Sequence, residues 1–311
     1  MDQRFKHKLI QKAIKRYQYN DSIDQCNANK EFYDSYCFLT EGKRFKSNID
    51  ILYVALDGTP GCNHIAAKNL LFQDNEICWK YFERTALFWS FPFIVTSRAI
   101  FIDEITGALN YALYVERTDL IRMLLTKLNS DLERNEYKQN KEYINQKIYP
   151  GTYLTHFLVE KMEVKNSVCE KVIKYGAGAN IYERILNEWD SFSNIENDYW
   201  DKLCEYHLNG IGVTGTKWKD EEFCYCGLIP MELINTFKVR QKLGLDLPAI
   251  SHELFMTPMA AYPKIPTGYN QDLDVKFQLV ERTKKNNKRY TYEDIIEQLQ
   301  EENGEDVILF Y

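Results

Sequence analysis

Glycine and proline are both scarce, at 14 and 8 among 311 residues. So few turn formers exclude collagen-like and linker-rich chains and argue against a turn-dense all-β fold. Cysteine occurs eight times but never as a CxxC pair: Cys26, Cys37, Cys62, Cys78, Cys169, Cys204, Cys224 and Cys226 are scattered. Long hydrophobic runs are missing as well. The most apolar stretch, TALFWSFPFI from Thr85 to Ile94, falls well short of the roughly 20 residues that span a bilayer, and Pro92 interrupts it. The first residues, MDQRFKHKLIQKAIKRYQ, are basic but lack the apolar core and small-residue cleavage site of a secretory signal. The expected compartment is the cytoplasm, with no membrane partner, and a disulfide framework is not expected there.

Signatures of common chemistries are also sparse. Gly210, Gly212 and Gly215 cluster, but a dinucleotide loop follows a strand and opens a helix, whereas these follow a helical pattern. The Gly-Lys-Ser/Thr ending of a phosphate loop is absent. Cys224 and Cys226 form a CxC pair with His207 upstream and His252 downstream. Structural zinc calls for four ligands at recognisable spacing, so buried thiols are the expectation and no metal or other cofactor is assigned. Only five histidines exist. Cys62 lies two residues before His64 in TPGCNHIAAKN, where a helix N-terminus lowers a thiol pKa. A cysteine-dependent enzyme built on Cys62 is therefore the alternative reading, although no nucleophile-elbow motif supports it. The basic run Lys284, Lys285, Lys288 and Arg289 is followed by an acidic tail, and the net charge is -6. That balance leaves no electrostatic footprint for nucleic acid.

What is present is helical periodicity. Hydrophobic residues make up 45% of the chain and charged residues 27%, enough apolar surface to order it. Phe5, Leu9, Ile10, Ala13, Ile14 and Tyr17 share one helical face, opposite Lys6, Lys8, Lys12, Lys15 and Arg16. A second helix is expected from about Asn75 until Pro92 stops it. A third runs from Arg98 to Glu116, its first turn carrying Asp103 and Glu104 at the favourable dipole end. Thr118 is the expected N-cap of the next, which carries Leu120, Ile121, Leu124, Leu125 and Leu128. These two read as an antiparallel helical hairpin.

Further helices are expected over 151–162, 167–175, 179–192, 196–208, 230–243 and 291–302, with Pro230 in a first turn and Gly244 as a C-cap. Residues 209–228 and 245–274 read as loops. ILYVAL at 51–56 is either a buried strand or a helical turn, and KFQLVER at 276–282 alternates as a short strand that pairs with VILFY at 307–311. The fold class is therefore all-α, as antiparallel hairpins in a bundle or irregular array with a minor β-pairing near the C-terminus. A polar stretch over 135–150 sets a soft boundary between an N-terminal half, 1–145, and a C-terminal half, 146–311.

Charge is unevenly distributed. Residues 1–17 hold six basic against one acidic residue, 290–311 hold seven acidic and no basic, and 183–206 hold seven acidic against two basic. In the last segment Glu188, Asp190, Glu196, Asp198, Asp201 and Glu205 stand beside Trp200 and other aromatics, a mixture suited to an interface. These residues, with Asp220, Glu221 and Glu222, are the expected partner-binding set.

The hairpin ALNYALYVERTDLIRMLLTKL, the later GLIPMELINTFKVRQKLGLDLP and the following SHELFMTPMA resemble the all-helical immunity proteins of bacterial polymorphic-toxin, contact-dependent and type VI secretion systems. The likeness covers about half the chain through loose motifs. It implies a non-enzymatic protein that binds one cognate toxin and occludes its active site, and it transfers no catalytic residues. A helical interaction scaffold without a toxin is the remaining alternative.

Overall fold

Ile102, Ile105, Ala108, Leu109, Ala112 and Leu113 repeat at helical spacing, and all six are buried. They lie on one helix, Ile102–Tyr114, which packs against four others and occupies the centre of the array. The computed structural model describes residues 5–19, 59–95, 102–134, 149–162, 180–212, 222–223, 225–264, 270–286, 288, 290, 292–304 and 307–308. Eleven α-helices form among them: α1 (Lys8–Tyr19), α2 (Thr59–Phe72), α3 (Cys78–Val95), α4 (Ile102–Tyr114), α5 (Thr118–Glu133), α6 (Pro150–Lys161), α7 (Glu183–Asn187), α8 (Asn197–Gly210), α9 (Met231–Lys242), α10 (Val275–Asn286) and α11 (Tyr292–Asn303). No β-sheet forms among the described residues. The protein is predominantly α-helical, and none of these helices is long and apolar enough to cross a membrane.

Short connections make neighbouring helices antiparallel. Thus α2 packs on α3 and α4 packs on α5, while α6 and α9 close over α4 from beyond residue 145. The α4–α5 turn works differently from the N-cap expected at Thr118. Glu116 adopts φ 60, which ends α4, and Arg117 is the capping residue, with Thr118 already the first helical position. The Arg117 guanidinium pins the turn by donating to Asp119 at 2.7 Å, Glu83 at 3.0 Å and Gln271 at 3.0 Å.

Four other expectations are corrected. Helix α3 continues past Pro92 to Val95: the proline removes its own N–H from the ladder, and the residues after it still complete the last turn. Pro230 lies one residue before α9 as its N-cap. The helix expected over 179–192 is only α7, because the backbone turns after Asn187 and the Trp189 carbonyl bonds to Arg240 rather than along a helix. The strand expected at 276–282 is part of α10: Asp274 accepts from Lys276 N–H at 2.9 Å and nucleates a helical turn. Of the expected β-pairing, a single parallel bridge between Asp274 and Ile308 is present. The segments 51–56 and 167–175 lie outside the described residues.

Helix α9 has an unusual interior. All ten residues from Met231 to Arg240 are buried, including Glu232, Asn235, Lys238 and Arg240. Each of these polar groups reaches a partner on another element. Lys238 Nζ donates to the Tyr114 carbonyl at 2.6 Å and pairs with Glu116 at 3.1 Å, capping the C-terminal end of α4. Gly244 follows at φ 70, with Leu245 N–H returning to the Arg240 carbonyl at 3.0 Å, as a glycine C-cap requires.

Candidate interaction surface

The acidic-aromatic segment folds with its two residue classes on opposite sides. Trp200 is 1% exposed and packs between Phe192 at 5.1 Å and Phe237 at 5.7 Å. It is a core residue, which corrects its assignment as a partner contact. Trp189 is buried too, edge-on to Phe157 at 5.1 Å. The Tyr199 hydroxyl donates inward to the Ile181 carbonyl at 2.7 Å.

The carboxylates divide into three groups. Arg184 engages Glu188 at 2.9 Å and also Glu196, while lying over the Tyr199 ring; its hydrogen bond holds the Glu196 carboxyl below the usual range. Glu205 lies 3.1 Å from His7 Nε2 and is hydrogen-bonded to His252 Nε2 at 3.2 Å, which ties the start of α1 to α8. The Nδ1 of His252 accepts from Leu254 N–H at 3.2 Å, so the neutral ring carries its proton on Nε2 and donates it to Glu205. Glu253 completes this junction by accepting from the backbone N–H groups of Lys6 at 2.9 Å and His7 at 2.8 Å. Asp190 and Asp198 are exposed, and Asp201 is half-buried beside them in the chain.

Behind this surface one clamp makes the frame rigid. Arg240 is buried, lies flat on the Phe192 ring at 3.5 Å, donates to the Asp246 carbonyl at 2.8 Å and reaches both the Trp189 carbonyl and the Asp246 carboxylate. It thereby joins the turn after α7 to the turn after α9.

Of the loop acids, Asp220 and Glu221 lie outside the described residues. Glu222 turns inward, so it contributes to packing rather than to a contact surface. Its carboxylate accepts from Gly151 N–H at 2.5 Å and from the Tyr206 hydroxyl at 2.6 Å, and burial pushes its pKa up to about 7. A Cβ on residue 151 would lie 2.4 Å from that carboxylate, so the contact requires glycine there. Next to it, His207 bonds through Nδ1 to Glu232 at 2.9 Å and through Nε2 to the Gly227 carbonyl at 2.8 Å. Both ring nitrogens thus face oxygen atoms of the core, and Cys224, considered with Cys226 as a metal pair, lies outside the described residues. Among the described residues no three His, Cys, Asp or Glu side chains are placed to hold a metal ion.

Comparison with known proteins returns nothing: no family model, no curated protein and no solved structure matches the chain.

His64 is buried and hydrogen-bonded to the Tyr111 hydroxyl; burial and Lys68 hold its pKa well below the usual histidine range. The Cys62 side chain itself lies outside the described set. His156, buried beside Thr106, is likewise pushed down by burial, to about 4.

Arg240, which frames this surface, and Lys238 and the Arg84–Asp274 pair, which join other elements, did not stand out in the sequence. Each acts on partners distant in the chain, so spacing carried no signal for them.

Proposed function

We propose that this chain is an immunity protein that acts in the cytoplasm and neutralises a cognate antibacterial toxin through the α7–α8 surface. The observation that carries the reading is the division of 183–206. Its Trp189, Phe192 and Trp200 side chains are buried while Asp190 and Asp198 stand exposed on a frame held by Arg240. A rigid surface loses little conformational entropy when it binds. Exposed carboxylates on a chain of net charge -6 steer a basic partner and repel an acidic one. A toxin whose active site is built for phosphate presents such a basic face. The sequence resemblance supplies the partner class.

Co-expression tests this reading. The gene adjoining this one is expressed with and without this chain, and growth is recorded. Killing by the neighbour and rescue by this protein support immunity; a harmless neighbour, or killing that persists, overturns it. With the complex in hand, Asp190→Lys/Asp198→Lys is expected to weaken binding at least tenfold and flatten its salt dependence. Unchanged affinity moves the interface elsewhere on the protein.

A further inference from the structure

Leu243 and Leu247 are exposed by 45% and 43%, although Leu245 between them packs on the core. Among the described residues seven large apolar side chains are exposed, and these two are the closest pair in the chain. A lone leucine on a surface is ordinary, whereas these two share one fixed turn. Gly244 there takes φ 70, Leu245 N–H returns to the Arg240 carbonyl at 3.0 Å, and Arg240 Nε donates to the Asp246 carbonyl at 2.8 Å.

The same turn is joined to the acidic surface. The Asp246 carboxylate accepts from Phe192 N–H at 3.2 Å, and Arg240 reaches the Trp189 carbonyl. These contacts bracket Asp190, so its exposed carboxylate and the two leucines stand on one ledge made of two turns. The basic residues of the ledge are already engaged: Arg240 pairs with Asp246, and Lys242 pairs with Glu116 at 2.7 Å. An incoming cation therefore meets Asp190 beside an apolar step.

Exposed carboxylates steer an encounter, whereas lasting affinity comes from anchors that exclude water. The 183–206 segment buries Trp189, Phe192 and Trp200 and so offers none of these as an anchor. We propose that Leu243 and Leu247 are the apolar anchor of the toxin interface. They seat in an apolar cleft of a basic partner whose cations meet Asp190 and Asp198. The inference rests on the immunity reading above and adds to it the residues that hold the partner after encounter.

Binding kinetics of the full chain test it, with the product of the adjoining gene as the probe and salt varied from low to high. Leu243→Ala/Leu247→Ala is expected to raise the dissociation rate at least tenfold and to leave the salt dependence of association unchanged. Asp190→Lys/Asp198→Lys acts instead on association and flattens that dependence. Met123→Ala removes a similarly exposed side chain from α5 and is expected to change neither rate. If thermal unfolding shows the double leucine variant to be destabilised, Leu247→Ala alone, which lies outside any helix, is expected to raise dissociation at least threefold. Leucine variants that dissociate no faster than wild type, or Met123→Ala dissociating as fast as they do, overturn the anchor and leave immunity standing. A wild-type chain that does not bind the product at all overturns both.

Discussion

Arg84 and Asp274 stand 190 residues apart in the chain, and their charged groups meet at 2.7 Å with almost no access to solvent. The pair joins α3 of the first half to the start of α10. Asp274 at the same time accepts from the backbone N–H groups of Lys276 and Phe277. One carboxylate thus neutralises a buried cation and starts a helix.

Removing one member of such a pair leaves the other buried and uncompensated. Arg84→Met is expected to cost about 3–5 kcal/mol in urea denaturation, and Asp274→Ala about 1 kcal/mol more because a cap is lost as well. The double variant Arg84→Met/Asp274→Ala should cost much less than the two single changes added together. Strict additivity would show that the two groups are not coupled.

Glu222 should give stability a pH dependence of definite sign. Burial raises its folded-state pKa to about 7 from an ordinary 4.5. A raised acid favours folding below its unfolded-state value and loses that contribution as pH rises to its folded-state value. Between pH 4.5 and 7 the wild-type protein therefore loses up to roughly 3 kcal/mol through this residue. Glu222→Gln keeps an acceptor for Gly151 N–H and removes the titration. It should match the wild type near pH 4 and exceed it at pH 8; equal stability of the two at pH 8 would contradict the buried, raised carboxyl.

Trp200 and Asp198 are neighbours in the segment yet should respond oppositely. Trp200→Ala opens a cavity among Phe192, Tyr199 and Phe237 and is expected to cost about 3–5 kcal/mol. Asp198→Lys alters an exposed side chain in the first turn of α8 and should cost no more than about 1 kcal/mol, through the helix dipole. Thermal unfolding of both variants, alongside toxin binding, separates the frame from the contact surface.

The buried thiols should be slow to react. Burial pushes Cys78 up to about 12 and raises Cys204 further, and Cys226 is also buried. Labelling by a thiol reagent at pH 8 should leave these three untouched in the folded protein and modify them on denaturation. Rapid labelling of Cys204 under native conditions would mean that α8 opens readily.

The helical class and most helix positions were readable from apolar spacing. In α5, Leu120 to Leu128 mark a single buried face, whereas α4 from Ile102 to Tyr114 is buried nearly all round because four helices pack on it; the structure places both helices where the spacing put them. Short elements were harder, because a run such as KFQLVER fits a strand or a helix equally well until its neighbours are known. At Asp274 the decision came from a side chain that caps the turn. The acidic segment was located by composition, but its faces were not: Trp200 and Asp198 differ by only two positions, and neither burial nor exposure follows from residue type alone.

The sequence by itself determined that the chain folds as helices, where the main hairpin lies and that charge gathers at its ends and over 183–206. These are local properties, set by residues within a turn or two of one another. Only the tertiary structure decided that α9 buries Glu232, Lys238 and Arg240, that Trp200 faces inward and that Glu205 serves two histidines. A charged side chain can be buried only where a distant element supplies its partner, and the spacing of residues along one chain does not say which elements will meet.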